Sequence, residues 1–148
     1  MFDPSYYMQK AYLEAKKALK YDEVPIGAII VKDNKIIARS YNKKEKDKLA
    51  TSHAEILAIN KASKKLNSWH LDGCIMFVTL EPCMMCMGAI VQSRIKTVYY
   101  SAKSFQDGAI ESSINFHKII GLNHYPETIY FEKNECSKII TDYFKTKR

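Results

Sequence analysis

A chain of 148 residues, 47% apolar and 26% charged, is long enough for one real core, too short for two comfortable ones, and has the ordinary make-up of a soluble globular domain. Lysine and arginine number 23 against 16 acidic residues, a net charge of +7; this suits a polyanionic partner, although the surplus is spread along the chain in a way that also fits solvated lysine-rich faces. No apolar run reaches the length of a membrane span, and "MFDPSYYMQK" has neither the basic start nor the apolar middle of a signal peptide, so a cytoplasmic protein with reduced thiols at Cys74, Cys83, Cys86 and Cys136 is expected.

In chain order, Asp3-Pro4 reads as a cap and a first-turn proline. Met8, Ala11, Tyr12, Ala15 and Leu19 then recur at helical spacing. "VPIGAIIVKDNKIIARSYN" reads as two strands, about Ala28–Lys32 and Lys35–Tyr41, joined by a tight turn at Asp33-Asn34. The basic stretch "KKEKDKLAT" is expected to be a loop, and "SHAEILAINKASKKL" a helix with Ile56, Ile59 and Leu66 on its apolar side. "CIMFVTLE" is nearly continuous in apolar residues, as a strand buried on both faces would be. "PCMMCMGAIVQSR" is expected to be a helix beginning at Pro82, "TVYYSAK" a strand, "AIESSINFHKII" a helix and "ETIYFEK" a weaker strand. The last segment, "NECSKIITDYFKTKR", reads as a helix capped by Asn134. Helices alternating with strands after an opening hairpin predict an α/β fold: one mixed sheet with helices on both faces. No repeat, linker or low-complexity segment interrupts it, so a single domain over residues 1–148 is expected.

The cysteine pair in "TLEPCMMC" stands where a strand ends and a helix begins, which is where open α/β sheets build sites. Cys83 and Cys86, three apart on a first helical turn, share one face. Alone, such a pair is compatible with zinc, redox chemistry or plain packing. The bulky apolar Met84-Met85 between them does nothing to acidify a thiol, which weakens the redox reading. Upstream, His53 also opens a helix, and Glu55 follows two residues later. Ser52-x-x-Glu55 is equally a capping box, and a lone histidine is ordinarily a surface or core residue. Two helix starts converging would nevertheless deliver His53, Cys83 and Cys86 to one point. Three protein ligands is the count of a catalytic zinc with an open position, and Glu55 would reach that position without binding the metal. Cys74 and Cys136 fall on apolar stripes and read as core.

The combination His53-x-Glu55 and Pro82-Cys83-x-x-Cys86 is the signature of zinc-dependent nucleobase deaminases, in which the glutamate is the proton-transferring group. Beyond it, "EVPIGAIIV" (Glu23–Val31), Asn42, "HAEILAI" (His53–Ile59), "VTLEPCMMCMGAIVQSRI" (Val78–Ile95), "LNH" (Leu122–His124) and "ECSKIITDYFKTKR" (Glu135–Arg148) resemble the bacterial-type tRNA-specific adenosine deaminases of the cytidine-deaminase-like superfamily. The resemblance covers nearly the whole chain. It implies a three-layer α/β/α fold with a five-stranded mixed sheet, a homodimer, one Zn²⁺ per chain, and hydrolysis of adenosine to inosine at the first anticodon position of a tRNA.

By position, the resemblance makes His53, Cys83 and Cys86 the zinc ligands and Glu55 the catalytic proton shuttle. Asn42 would hydrogen-bond the flipped purine, and Ile26 and Ala54 would line its pocket. Lys145, Lys147 and Arg148 would approach the RNA from a C-terminal helix. The cluster of Met84, Met85 and Met87 beside the site would suit an adaptable apolar dimer interface, though these methionines could equally be core within one chain. The sequence departs from the family at Leu49-Ala50, where Asp-Pro is usual, and at Ser101, Ser104 and Gln106, where glycine, aspartate and lysine are usual. Ser104 and Gln106 therefore fall in a loop expected to border the RNA. A deaminase of free bases or nucleosides on the same centre is the alternative enzyme. A non-catalytic zinc RNA-binding protein is the alternative from another class, though it would have no use for Glu55.

Overall fold

The computed structural model describes residues 1–147; Arg148, one of the expected RNA contacts, lies outside them. Helix α1 (Pro4–Ala18) opens as expected, with Asp3 accepting a hydrogen bond from the Ser5 amide at 3.0 Å. Its buried face carries Tyr7, Met8, Ala11, Ala15 and Ala18, but Leu19 falls in a 3-10 turn beyond the helix and is exposed. Strands β1 (Gly27–Lys32) and β2 (Lys35–Tyr41) pair antiparallel. Between them Asp33 and Asn34 both take positive φ, 50° and 61°, the handedness that matches strand twist in a two-residue hairpin.

The sheet order is β2-β1-β3-β4-β5, completed by β3 (Ile75–Val78), β4 (Thr97–Tyr100) and β5 (Glu127–Tyr130). β1 runs antiparallel to both neighbours, and β3, β4 and β5 are mutually parallel. One face packs against α1 through Ile29, Val31 and Phe77. The other packs Ala28, Ile30, Met76 and Val78 against α3 (Ala54–Leu66) and α4 (Met84–Ser93). Alternate residues of β1 and β3 thus serve different helical layers, which is why both strands read as unbroken apolar runs. The result is the expected three-layer α/β/α arrangement around a five-stranded mixed sheet. At Gly27 the layers nearly touch: a Cβ there would lie 2.1 Å from the Ala11 carbonyl oxygen of α1.

Four expectations need correction. β3 and β4 are shorter than their apolar runs, because Thr79–Glu81 and Ser101–Lys103 leave the sheet to build loops. The basic stretch after β2 contains a short helix, α2 (Lys44–Asp47). It is capped from a distance, with the buried Glu23 carboxylate accepting from the amides of Glu45 (3.0 Å) and Lys46 (2.6 Å). Residues 109–120 form turns and a 3-10 turn at Phe116–Lys118 rather than a helix. The buried carboxylate of Glu81 takes the amides of Ile110, Glu111 and Ser112, and Ser112-Ser113 favour such local alternatives to a helix. The final helix, α5 (Asn134–Lys145), is capped at Lys133, with Asn134 already its first residue.

Candidate active site

β3 ends at Val78, and the chain stays tied to β1 for one more residue: the Thr79 amide donates to the Gly27 carbonyl at 3.0 Å, and the Gly27 amide donates to Thr79 Oγ1 at 3.1 Å. Pro82 is not helical. Cys83, extended at φ −76°, ψ 175°, is the N-cap of α4, and Cys86 sits in its first turn. His53 holds the same position on α3, extended at φ −73°, ψ 151°. Neither residue spends its side chain on capping its own helix. Both side chains turn instead toward each other, across the gap between two helix N-termini that carry partial positive charge.

His53 Nδ1 lies 3.7 Å from Cys83 Sγ and 3.5 Å from Cys86 Sγ. Donor atoms of the three residues all lie within 4.8 Å of one another. Nitrogen and sulfur donors at about 2.1 and 2.3 Å from a tetrahedral zinc stand roughly 3.6 Å apart, so the donor set fits this ion in identity and spacing. Cys74 and Cys136 are buried elsewhere in the core, and all four cysteines are free thiols. Burial raises both core thiols, Cys136 to about 11. The paired thiols act on each other: the hydrogen bond from Cys86, with that of His53, draws Cys83 down to about 4, while Cys83 and burial push Cys86 up.

Glu55, in the first turn of α3, is 4% exposed, and burial pushes its carboxyl up to about 7. The Ser52–Glu55 capping box does not form. The Ser52 amide donates to the Leu49 carbonyl at 3.1 Å and its hydroxyl donates to Asp47 at 2.9 Å. Glu55 is left beside the His53–Cys83–Cys86 cluster.

A cleft of about 490 Å³ opens from His53. Its walls include Ile26, Asn42 and Ala54, the residues expected to hold a purine, together with Ser104 and Gln106 from the altered loop. Asn42 is buried and half-committed: its Nδ2 donates to the Val24 carbonyl at 3.2 Å and its Oδ1 accepts from the Lys44 amide at 3.1 Å. One N–H and one lone pair remain for a ligand. Ser104 also lines the cleft, but its hydroxyl donates to Asp107 at 2.6 Å. Lys145 and Lys147 are exposed at the end of α5, and Lys147 pairs with Asp22 at 2.5 Å. Ile140 and Phe144 of the same helix are the ones that reach the cleft.

Several residues of the site escaped the sequence reading. Glu81 is 2% exposed; burial alone would raise its carboxyl, but hydrogen bonds from Glu111, Ser112 and Ser104 outweigh this and hold it low. A carboxylate closing an apolar strand was the available signal. Lys44, Lys103, Phe105 and Phe144 also border the cleft; Lys103 and Phe105 lie in the loop expected to border the RNA and Phe144 on the helix expected to approach it, but nothing in the local pattern singles them out.

Residues 2–148 match the family model described as MafB19-like deaminase. The tRNA-specific adenosine deaminase of Aquifex aeolicus (strain VF5) is 43% identical over 143 residues, covering 97% of this chain and 95% of that protein. A solved structure from work on A-to-I editing by tRNA:A34 deaminases at the wobble position superposes with a TM-score of 0.86 at 38% identity, covering 91% of this chain and 99% of the other. A guanine deaminase from Bacillus subtilis superposes with a TM-score of 0.68 at 31% identity, over 99% and 94% of the two chains. With likeness of this degree over nearly its whole length, in sequence and in fold, this chain belongs to the family of the tRNA-specific adenosine deaminases.

Proposed function

We propose that this protein, acting as a single zinc-dependent deaminase domain, hydrolyses adenosine to inosine at the first anticodon position of a tRNA, consuming water and releasing ammonia. The observation that carries the reading is the meeting of His53, Cys83 and Cys86 beside buried Glu55, with His53 and Ala54 lining a cleft of about 490 Å³, in a chain whose relatives are tRNA-specific adenosine deaminases. His53, Cys83 and Cys86 would hold the zinc. When bound, zinc supplies a Lewis acid that makes water acidic enough to yield a nucleophile near neutral pH.

The remaining work belongs to the chain. Glu55 takes a proton from water and passes it to the purine ring nitrogen, then takes the proton of the hydroxyl newly added to the carbon and passes it to the departing amine. A carboxyl held near neutrality by burial suits traffic in both directions. Asn42 offers its free N–H and lone pair to the purine edge, fixing which carbon faces Glu55. Ala54 and Ile26 give the ring apolar walls and keep bulk water off. An adenosine must leave its stack to enter so deep a site, and an unpaired loop nucleotide does so at least cost.

A groove of about 150 Å³ between α4 and the 109–122 segment is lined by Met84, Ile114 and Ile119, all exposed. This supports a homodimer in which a second copy covers that face. Met87 also lines the groove but is buried, so it forms its base rather than its exposed rim. No helix among the described residues is long and apolar enough to cross a membrane, and a tRNA substrate implies the cytoplasm.

Zinc analysis joined to an RNA assay tests the proposal. The wild-type protein should carry one zinc per chain and convert adenosine to inosine in an anticodon stem-loop. Cys83→Ala should lose both properties. Full zinc in that variant, or no inosine from zinc-loaded wild type, would overturn the reading.

A further inference from the structure

Phe105 is 78% exposed and stands on the rim of the catalytic cleft. Leaving a phenyl ring in water has no benefit for folding, and a flexible loop would let it fold back onto the core. This loop is not free to do so. The Ser104 amide donates to Glu81 Oε1 at 3.1 Å, the Gly108 amide donates to the Ser104 carbonyl at 2.8 Å, and the Ser104 hydroxyl donates to Asp107. Gly108 bridges to Cys83, and the Ala109 amide donates to the Pro82 carbonyl at 2.8 Å. At Gly108 a Cβ would lie 2.4 Å from the Glu81 carboxyl carbon, so the turn is closed against the same segment that bears the cysteine ligands. Phe105 is thus presented outward from a scaffold whose position is tied to the reaction centre.

We propose that Phe105 is a stacking platform for an unpaired nucleobase adjacent to the target nucleotide, and hence a specificity-determining residue for the reaction. The inference rests on the RNA-deaminase reading above. Drawing one nucleotide into the cleft breaks its stacking with its neighbours, and a fixed aromatic face at the rim replaces what they lose. Phe144, from α5, is 45% exposed on the same cleft, and Lys44 borders it with positive charge, as does Lys103, which also pairs with Glu111 at 2.9 Å. Aromatic faces interleaved with cations are the means by which proteins hold single-stranded nucleic acid. Ser104 keeps its hydroxyl within the loop, so the outward contact of this segment passes to the next residue.

The test compares wild type, Phe105→Ala and Phe105→Trp on an anticodon stem-loop with adenosine at the first anticodon position. Two further stem-loops carry fluorescent 2-aminopurine, one immediately 5′ and one immediately 3′ of the target. Truncation of a stacked aromatic should lower kcat/KM about 5- to 150-fold, chiefly through KM, with zinc content unchanged. Binding to wild type should perturb 2-aminopurine at one of the two positions, Phe105→Ala should abolish that response, and Phe105→Trp should restore both rate and response. Wild-type rates in Phe105→Ala with that fluorescence response intact would overturn the proposal. So would a loss of rate accompanied by dissociation in light scattering, which would make Phe105 a contact between copies. If wild type makes no inosine from the stem-loop, the functional reading fails and takes this inference with it; an active wild type with an indifferent Phe105→Ala sinks the inference alone.

Discussion

Glu55 occupies a position where a glutamate usually serves a helix start, yet its carboxyl is buried and the serine that would complete a cap bonds elsewhere. Its burial outweighs the hydrogen bonds that favour the charged form; a buried acid of this kind is a stability cost, and a cost retained in a folded protein points to use. Glu55→Ala should therefore keep its zinc and melt no earlier than wild type, while single-turnover deamination falls by at least ~10²–10⁴-fold, the range for one acid–base group. Earlier melting with near-normal turnover would instead make Glu55 a structural residue. His53 and Cys83 show the same economy: both are caps by backbone conformation, and both keep their side chains for the shared site.

At the scale of elements, two buried carboxylates organise the loops around the cleft. Glu23 caps α2 and Glu81 gathers four amides, those of Ser104, Ile110, Glu111 and Ser112. Glu81→Ala would leave those amides without their acceptor and should destabilise the protein by about 3–5 kcal/mol, seen as a lower midpoint in urea. Amide exchange should quicken across residues 104–114 before it does in the sheet. If exchange there is unchanged, the loop is held by something other than Glu81. Close packing makes a second prediction. Gly27→Ala would drive a methyl group into the α1 backbone and should cost about 1–3 kcal/mol or more; wild-type stability would mean that α1 shifts away freely.

These same interactions mark the boundary of what could be read in advance. The hairpin at Asp33-Asn34, the capped start of α1 and the apolar strands follow from local pattern, and so does the meeting of His53, Cys83 and Cys86, since these residues sit at two recognisable strand or loop to helix junctions. α2 and the 109–120 segment did not follow. Each is decided by a carboxylate more than twenty residues away in the chain, and local propensity carries no trace of such a partner. The cleft's outer wall was hidden for a related reason: Phe105 and Phe144 come from separate segments and meet only around the folded site.

For the whole molecule, charge and surface predict behaviour in solution. A chain of net +7 acting on RNA should lose kcat/KM as salt rises, with each neutralised phosphate adding about −0.7 to the logarithmic slope for a single strand. Light scattering at micromolar concentration should give twice the mass of one chain, and Met84→Lys, at the exposed groove beside α4, should shift it toward the monomer. A wild-type monomer would contradict the assembly.

The most direct measurement of the central claim is a comparison of substrates on one zinc-loaded preparation. kcat/KM is measured for an anticodon stem-loop bearing adenosine at its first anticodon position, for the same stem-loop with that adenosine moved into the stem, for free adenosine and for free guanine. The account predicts inosine from the first and little or no turnover of the others. Efficient deamination of free guanine or free adenosine, with the stem-loop left intact, would contradict it.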